Sequence, residues 1–449
     1  MTDGDVGLDA LRRCFEGAIP AVLATASAGG IPNITYLSKA HAVDAQRVAL
    51  SNQFFSKTAR NLAENPRASL LLIDPTTHDE FRLDLAYERT DRRGPVFEQL
   101  RADIDALAAL TGMQDVFRLR AADIYRVLHV GRVPANPSSA WVPIPESPPP
   151  SLAQVAELCA RIGRCTDLDA LVEATVDGLD RLLGYRHVLL LLADEQARRL
   201  YTMASRGFDA EHVGAEVALG DGIIGVAAER GTPVRIGNLK QATKYSATVR
   251  RSFVATGVEP GRELPVPTLP DADSRIVAPA VAAGELVGAL VADRVEAVAF
   301  GDADEAALAV VAGSLAGALV ALRSLDDDGA PAPRAAATAP AAGTAVHVRH
   351  FAVDGSTFLD GDYLIKGVAG RILWSLLRQH AADGRTDFTN RELRLDPTLE
   401  LPGYKDNLES RLILLKRRLD EREAAIRLTR TGRGRFRLDV AATVQLELA

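Results

Sequence analysis

Two stretches of this chain cannot contribute to a hydrophobic core, and they set its division into parts before any motif is read. The first, residues 134–150, crowds Pro143, Pro145, Pro148, Pro149 and Pro150 together, a composition that favours an extended, stiff connector. The second, residues 326–345, opens with Asp326-Asp327-Asp328 and continues mainly in Ala, Pro, Gly and Thr, without one large apolar side chain. Burial cannot offset the entropy of ordering such a segment, so it is predicted to be disordered. The blocks that remain are 1–133, 151–325 and 346–449. A chain of 449 residues exceeds what one core supports, so each block is expected to be a domain.

Charge is spread unevenly. From Val346 onward, 18 Lys and Arg stand against 15 Asp and Glu, a balance of +3; the whole chain carries −7, so the remainder carries −10. This permits a basic face on the last block without demanding one. No uninterrupted apolar run reaches the roughly 18 residues that span a bilayer. Met1 to Asp9 lacks a basic start and an apolar stretch, so no signal peptide and a cytoplasmic location are expected. Cys14, Cys159 and Cys165 cannot build a disulfide framework. No metal is expected.

In the first block, Leu8, Leu11 and Phe15 open a helix, and Ile19 to Thr25 is an apolar strand. Gly29-Gly30 turns the chain into a strand from Pro32 to Leu37. Asp44 marks a turn before Arg47 to Asn52, and Ser69 to Asp74 and Phe81 to Arg89 follow. Short strands with tight turns predict an antiparallel barrel. Ser51-Asn52, Ser56-Lys57-Thr58, a helix and Asn65-Pro66-Arg67-Ala68 resemble the split-barrel family of pyridoxamine 5'-phosphate oxidase. The resemblance spans about residues 8–130 and implies a flavin mononucleotide (FMN) site. The phosphate would lie on Ser56, Lys57, Thr58 and Arg60, and the ring beside Val48, Ala49, Leu50 and Ser51. Hydroxyls, cations and helix-start N–H groups suit a phosphate. Nothing after Val127 reproduces that oxidase's substrate segment, and His41, His78 and His129 stand alone. Vitamin oxidation is therefore not expected, and flavin, haem or an empty scaffold stay open. Such barrels are often dimeric.

In the second block, Leu152 to Ile162 and Leu168 to Leu183 have helical spacing, and His187 to Ala193 reads as a buried strand. Val217 to Ile236 holds Gly220, Gly222, Gly225 and Gly231, and a hairpin is expected from Ser274 to Leu290. These runs resemble the GAF domain, with its α+β fold and small-molecule pocket. The resemblance places candidate pocket-wall residues at Arg235, Asn238, Tyr245 and Arg275. His187 and His212 are the haem-ligand alternatives. In the helix from Asp304 to Leu325, Leu308, Val311, Leu315, Leu319 and Leu322 form a stripe with Gly313 and Gly317 nearby. We expect it to pair subunits into a homodimer.

The third block reads as short strands from Val348 and Thr357 joined through Asp354-Gly355, then helices from Val368, Thr389 and Asn407. Thr389 and Glu392 have capping-box spacing. A basic hairpin, Ala425 to Arg430 and Arg435 to Leu438, closes it. The order resembles the winged helix-turn-helix effector domain of response regulators. That resemblance implies major-groove contact by Arg411, Arg417 and Arg418 and backbone contact by Arg430, Arg433 and Arg435. The whole reads as a one-component transcriptional regulator that senses flavin, redox state or a small ligand and binds DNA. The alternatives are an FMN-dependent oxidoreductase with regulatory domains, and a signalling protein whose winged helix docks protein.

Overall fold

The computed structural model describes residues 7–16, 19–53, 57–75, 77–110, 117–134, 148–194, 198–208, 213–240, 269, 271–325, 345–399, 408–432 and 434–449. Most of both connectors, with Ser56, His212, Tyr245 and Arg433, lies outside the described residues.

The first domain opens with a 3-10 helix, Leu8–Glu16, that sends Leu8, Leu11, Cys14 and Phe15 into a core. Burial pushes the Cys14 thiol up to about 12, so it stays protonated. There follow β1 (Ala21–Ala26), β2 (Pro32–Leu37), β3 (Ala40–Asp44), β4 (Arg47–Asn52), α1 (Lys57–Glu64), β5 (Arg67–Ile73), β6 (Glu80–Asp91), α2 (Pro95–Leu110) and β7 (Ala121–Arg132). The strands pair antiparallel in the order β2-β1-β5-β6-β7-β4-β3. Strand alternation sends Val48 and Leu50 into the core with Leu23, Leu70 and Leu83. Ala49 faces the other way, under Phe97 and Leu100 of α2.

The second domain comprises α3 (Leu152–Ile162), α4 (Leu168–Arg181), β8 (His187–Asp194), β9 (Arg199–Arg206), β10 (Glu216–Ala218), α5 (Gly222–Arg230), β11 (Val234–Ile236), β12 (Ser274–Ala282), β13 (Glu285–Arg294) and α6 (Asp302–Leu325). Its sheet, β10-β9-β8-β13-β12-β11, is buried on both faces. Val188, Leu190 and Leu192 face α3, α4 and α6. Leu189 and Leu191 face α5 and, beyond it, Ala102, Ala106 and Ala109 of α2 from the first domain. This two-sided burial explains why β8 is apolar without alternation.

The stripe Leu308, Val311, Leu315 and Leu319 of α6 is core in its own domain. Gly313 and Gly317 face open space, beside exposed Val310 and Val320. The stripe is therefore not free to pair subunits. Asp302–Leu322 of α6 is also the one described helix long and apolar enough to cross a membrane by length and composition, which a search for unbroken apolar runs missed.

The third domain runs β14 (Ala345–His350), β15 (Thr357–Leu359), β16 (Asp362–Ile365), α7 (Gly367–Asp383), β17 (Asp387–Thr389), α8 (Asn390–Leu395), α9 (Leu408–Glu421), β18 (Ile426–Gly432), β19 (Arg435–Val440) and β20 (Thr443–Leu448). Thr389 and Glu392 form the reciprocal capping box that their spacing called for. β18 and β19 form the expected hairpin, with β17 added as a third strand. β20, unanticipated, pairs parallel with β14. The apolar core of this domain is continuous with the α3–α4–α6 side of the second domain.

Close approach fixes one glycine of the second domain's Gly-rich run. A Cβ on Gly225 would collide with the Ala218 carbonyl, so α5 packs here only through glycine. Gly225→Ala is expected to destabilise this domain by about 1–3 kcal/mol, read as a lowered midpoint of its transition in chemical denaturation.

Candidate functional sites at the domain junctions

The cluster expected to hold a flavin is split by the fold. Val48 and Ala49 are fully buried, Leu50 and Ser51 nearly so, and both neighbouring strands pair with β4. The Ser51 hydroxyl accepts the Lys39 N–H at 3.1 Å. A ring has no open face to lie on at 48–50, because Val48 and Leu50 point into the barrel core and Ala49 lies under α2, which corrects that placement. The phosphate end fits better. Lys57 and Arg60 are exposed at the start of α1. Lys57 Nζ donates to the Pro32 carbonyl at 3.2 Å, and Thr58 Oγ1 accepts from Asn33 Nδ2 at 2.9 Å, keeping its own proton to donate. Just before α1, Gln53 Nε2 is buried with no partner among the described residues. Among the described residues no group of three or more His, Cys, Asp and Glu is placed to hold a metal ion.

At the junction of the first two domains, α2 lies on α5. Gln99 donates to the Pro233 carbonyl at 3.1 Å, and Arg230 pairs with Asp105 at 2.6 Å. Beside them a cavity of about 700 Å³ is lined by Phe15, Lys39, His41, Asp103, Arg235 and Glu305, among others. Arg235 reaches Glu16 of the first domain at 2.7 Å and Asp302 and Glu305 of its own at 2.5 and 3.0 Å. Burial works against its charge, but those carboxylates outweigh burial and raise its pKa. Burial raises Glu305 and lowers His41, so the imidazole is held neutral.

Arg275 has another place than a pocket wall. It lies opposite Asp293 in the β12–β13 register and meets it through two hydrogen bonds of 2.7 Å, with 2 % and 0 % of the side chains exposed. The pair closes on itself inside the sheet. Asn238 is buried. Of the expected pocket residues, Arg235 lines the cavity beside α2, and Tyr245 lies outside the described residues.

The third junction holds the arginines expected to face DNA. Arg411 pairs with Asp194 at the end of β8, and its guanidinium stacks 4.4 Å from the Tyr201 ring centre. The Tyr201 hydroxyl donates to Ser410 at 2.6 Å in a buried contact. Arg417 reaches Asp169 and Glu173 of α4 at 3.0 and 2.8 Å. Arg418 is buried, donating to the Leu364 carbonyl and pairing with Glu421. Arg430 meets Glu409 at 3.0 Å and Asp167, the N-cap of α4, at 3.7 Å. Arg435 lines a small cavity beside Asp169 and Glu409. From Leu408 to Leu419 no residue of α9 is exposed. The face that the resemblance assigned to DNA meets the GAF domain through Arg411 and Arg417, while Arg418 is tied within its own domain.

Residues 8–127 match the family model for pyridoxamine 5'-phosphate oxidase, and residues 167–319 match that for the GAF domain. The first two domains are therefore an oxidase-like split barrel and a GAF domain. The chain is similar to the GAF domain of an Acinetobacter phosphoenolpyruvate-protein phosphotransferase, at 20% identity over 39% of this chain and 95% of that one, with a TM-score of 0.31. It is similar to a free methionine-R-sulfoxide reductase from Neisseria meningitidis, at 21% over 38% and 89%, TM-score 0.30. It is also similar to an FMN-binding protein from Syntrophomonas wolfei, at 16% over 28% and 85%, TM-score 0.24. No curated protein matches the chain.

Sequence reasoning missed α2, the helix that joins barrel to GAF domain. Phe97, Leu100 and Ile104 have helical spacing, the one local signal for it. It also missed the Arg275–Asp293 pair, because the turn at Ala283-Gly284 alone would set Arg275 opposite Ala292, and a bulge between Ala280 and Val281 shifts the register by one residue.

Both buried charge arrangements have measurable consequences. Asp293→Ala leaves Arg275 buried without its carboxylate and is expected to cost about 3–5 kcal/mol, read from the GAF transition in denaturant; Arg275→Met/Asp293→Leu should recover most of it. His41 has a lowered folded pKa, so the unfolded chain binds its proton first. Its contribution is present above the ordinary histidine value of about 6.5 and is lost as pH falls through it. Barrel stability measured from pH 8 down to about 5.5 should decline, and His41→Asn should flatten that decline.

Proposed function

We propose that the chain is a ligand-sensing transcriptional regulator, cytoplasmic and homodimeric, in which barrel and GAF domain receive a signal and the third domain, a winged helix, binds DNA. The observation that carries this reading is the interface between α9 and the GAF domain. Arg411 and Arg417, the residues a DNA-reading helix would use, are held by GAF carboxylates. A change in the GAF domain therefore has a direct route to the helix. The order of the third domain supports the winged-helix reading: three short strands, three helices with a short strand between the first two, and a basic hairpin with Arg427, Arg430 and Arg437 exposed.

FMN is the ligand we assign to the barrel, with its phosphate on Lys57, Thr58 and Arg60. A bound flavin would supply reversible two-electron chemistry and with it a redox signal. The cleft between barrel and GAF domain beside Arg235 is the place we assign to a second small molecule. A second reading, a winged helix that docks protein, draws on the same interface, because Leu414 and Ser410 of α9 are buried against protein.

The absorbance spectrum of the protein as purified tests the cofactor. Flavin bands are expected, and Lys57→Ala/Arg60→Ala should lower FMN affinity about tenfold or more, since removing one charge-assisted hydrogen bond costs about 1.5–3 kcal/mol. A colourless protein that takes up no FMN contradicts the assignment. Titration with a mixed-sequence duplex at several salt concentrations tests the output. Binding should weaken steeply with salt, and salt-independent failure to bind favours protein docking.

A further inference from the structure

The GAF side of the α9 interface gathers five acids, of which Asp167 also caps α4, Glu216 also pairs with Arg199 at 2.9 Å and Glu173 also lies 3.9 Å from Arg206, while Asp169 and Asp194 turn to the third domain. Asp167 and Asp169 open α4, and Glu173 follows one turn later. Asp194 ends β8, and Glu216 begins β10. All five reach cations of the third domain: Arg430, Arg417, Arg411 and, from Glu216 at 3.1 Å, Lys366. The acids are the more exposed partners in most of these pairs. Glu173 is 57% and Asp169 39% exposed, against 15% for Arg417.

We infer that this acidic GAF face occupies the nucleic-acid surface of the third domain in place of phosphate, so that GAF domain and DNA compete for the same arginines. The inference rests on the DNA-binding reading above and adds its control. Carboxylates imitate phosphate oxygens because both accept the forked N–H groups of a guanidinium. Asp169 and Glu173 converge on Arg417 within 3.0 Å, while Asp194 takes Arg411, whose flat face rests on Tyr201. With no exposed residue between Leu408 and Leu419, α9 cannot enter a groove in this arrangement.

Two further features suit a contact made to be exchanged. Arg417 Nε is buried without an acceptor among the described residues, so the closed state satisfies that guanidinium incompletely. The half-exposed acids make pairs that solvent and salt weaken. Release needs no chemical step. It needs the GAF face to lose its hold, and a ligand that binds the released state better would shift the balance.

The test compares the full chain with Asp169→Asn/Glu173→Gln/Asp194→Asn, which keeps shape and removes charge. Hydrogen exchange of α9 reports opening, and titration with a fluorescent mixed-sequence duplex reports DNA affinity. The variant should exchange faster in α9 and bind about tenfold tighter, with a salt slope steeper by about 2 for the two freed arginines. If the variant exposes α9 and neither protein binds the duplex, the DNA-binding reading fails and this inference with it. If the native chain, α9 protected, binds as tightly and with the same slope as the variant, DNA binding stands and the competition is overturned. Unchanged protection of α9 in the variant overturns the acids as its restraint. Should the triple variant lose secondary structure, Asp194→Asn and Tyr201→Phe, each alone, carry the same comparison with smaller shifts.

Discussion

The central sheet is covered on both faces by different neighbours, and the rest of the arrangement depends on that. On one face, α5 and then α2 of the barrel bury Leu189, Leu191 and Val277. On the other, α3, α4 and α6 bury Leu190, Leu192 and Ile276, in a core that runs on into the third domain. A sheet with two apolar faces cannot leave either in water, so the GAF domain holds both neighbours at once. Apolar burial holds them together; charge sets their register. Arg235 bridges to Glu16 on the barrel side, and Arg411 and Arg417 bridge to Asp194, Asp169 and Glu173 on the other.

The two junctions differ in kind. At the barrel junction Glu16 is buried and Arg235 nearly so, Arg235 is shared among three carboxylates of which only Asp302 is exposed, and desolvation holds His41 neutral. Removing one member leaves others unpaired in a poorly solvated place, so this contact is costly to break. At the α9 junction the acids lie at the rim and are partly solvated. Its pairs are individually weak and cheap to separate. The one sheet thus carries two joints of unequal strength, the barrel joint the harder to break.

Local signals were legible in the sequence, and partners distant in the chain were not. Thr389 with Glu392, the turn at Asp354-Gly355 and the apolar run of β8 each depend on neighbours a few residues away, and each reads directly. β20 was invisible because its partner β14 lies about a hundred residues earlier. α2 was obscured because it has two apolar sides, Phe97 and Leu100 toward the barrel and Ala102, Ala106 and Ala109 toward the GAF domain, which blurs amphipathic periodicity. Val48 to Leu50 read as strand, yet only the fold shows α2 lying over Ala49. On α9 the basic face read as DNA-facing, since composition distinguishes charged from apolar but not a charge left free for a ligand from a charge paired with another domain. Asp194 lies 217 residues before Arg411, and nothing local joins them.

Whether one set of arginines serves both the acidic face and DNA is decided by the distance between the GAF and third domains as DNA is added. Fluorescent labels at positions 181 and 391, on exposed helix sites, would report it. With shared arginines, saturating duplex must separate the labels, and added salt must reverse the change as DNA leaves. A duplex that binds to saturation while the distance stays fixed would rule the sharing out, because α9 would then still lie against Asp194 with DNA bound.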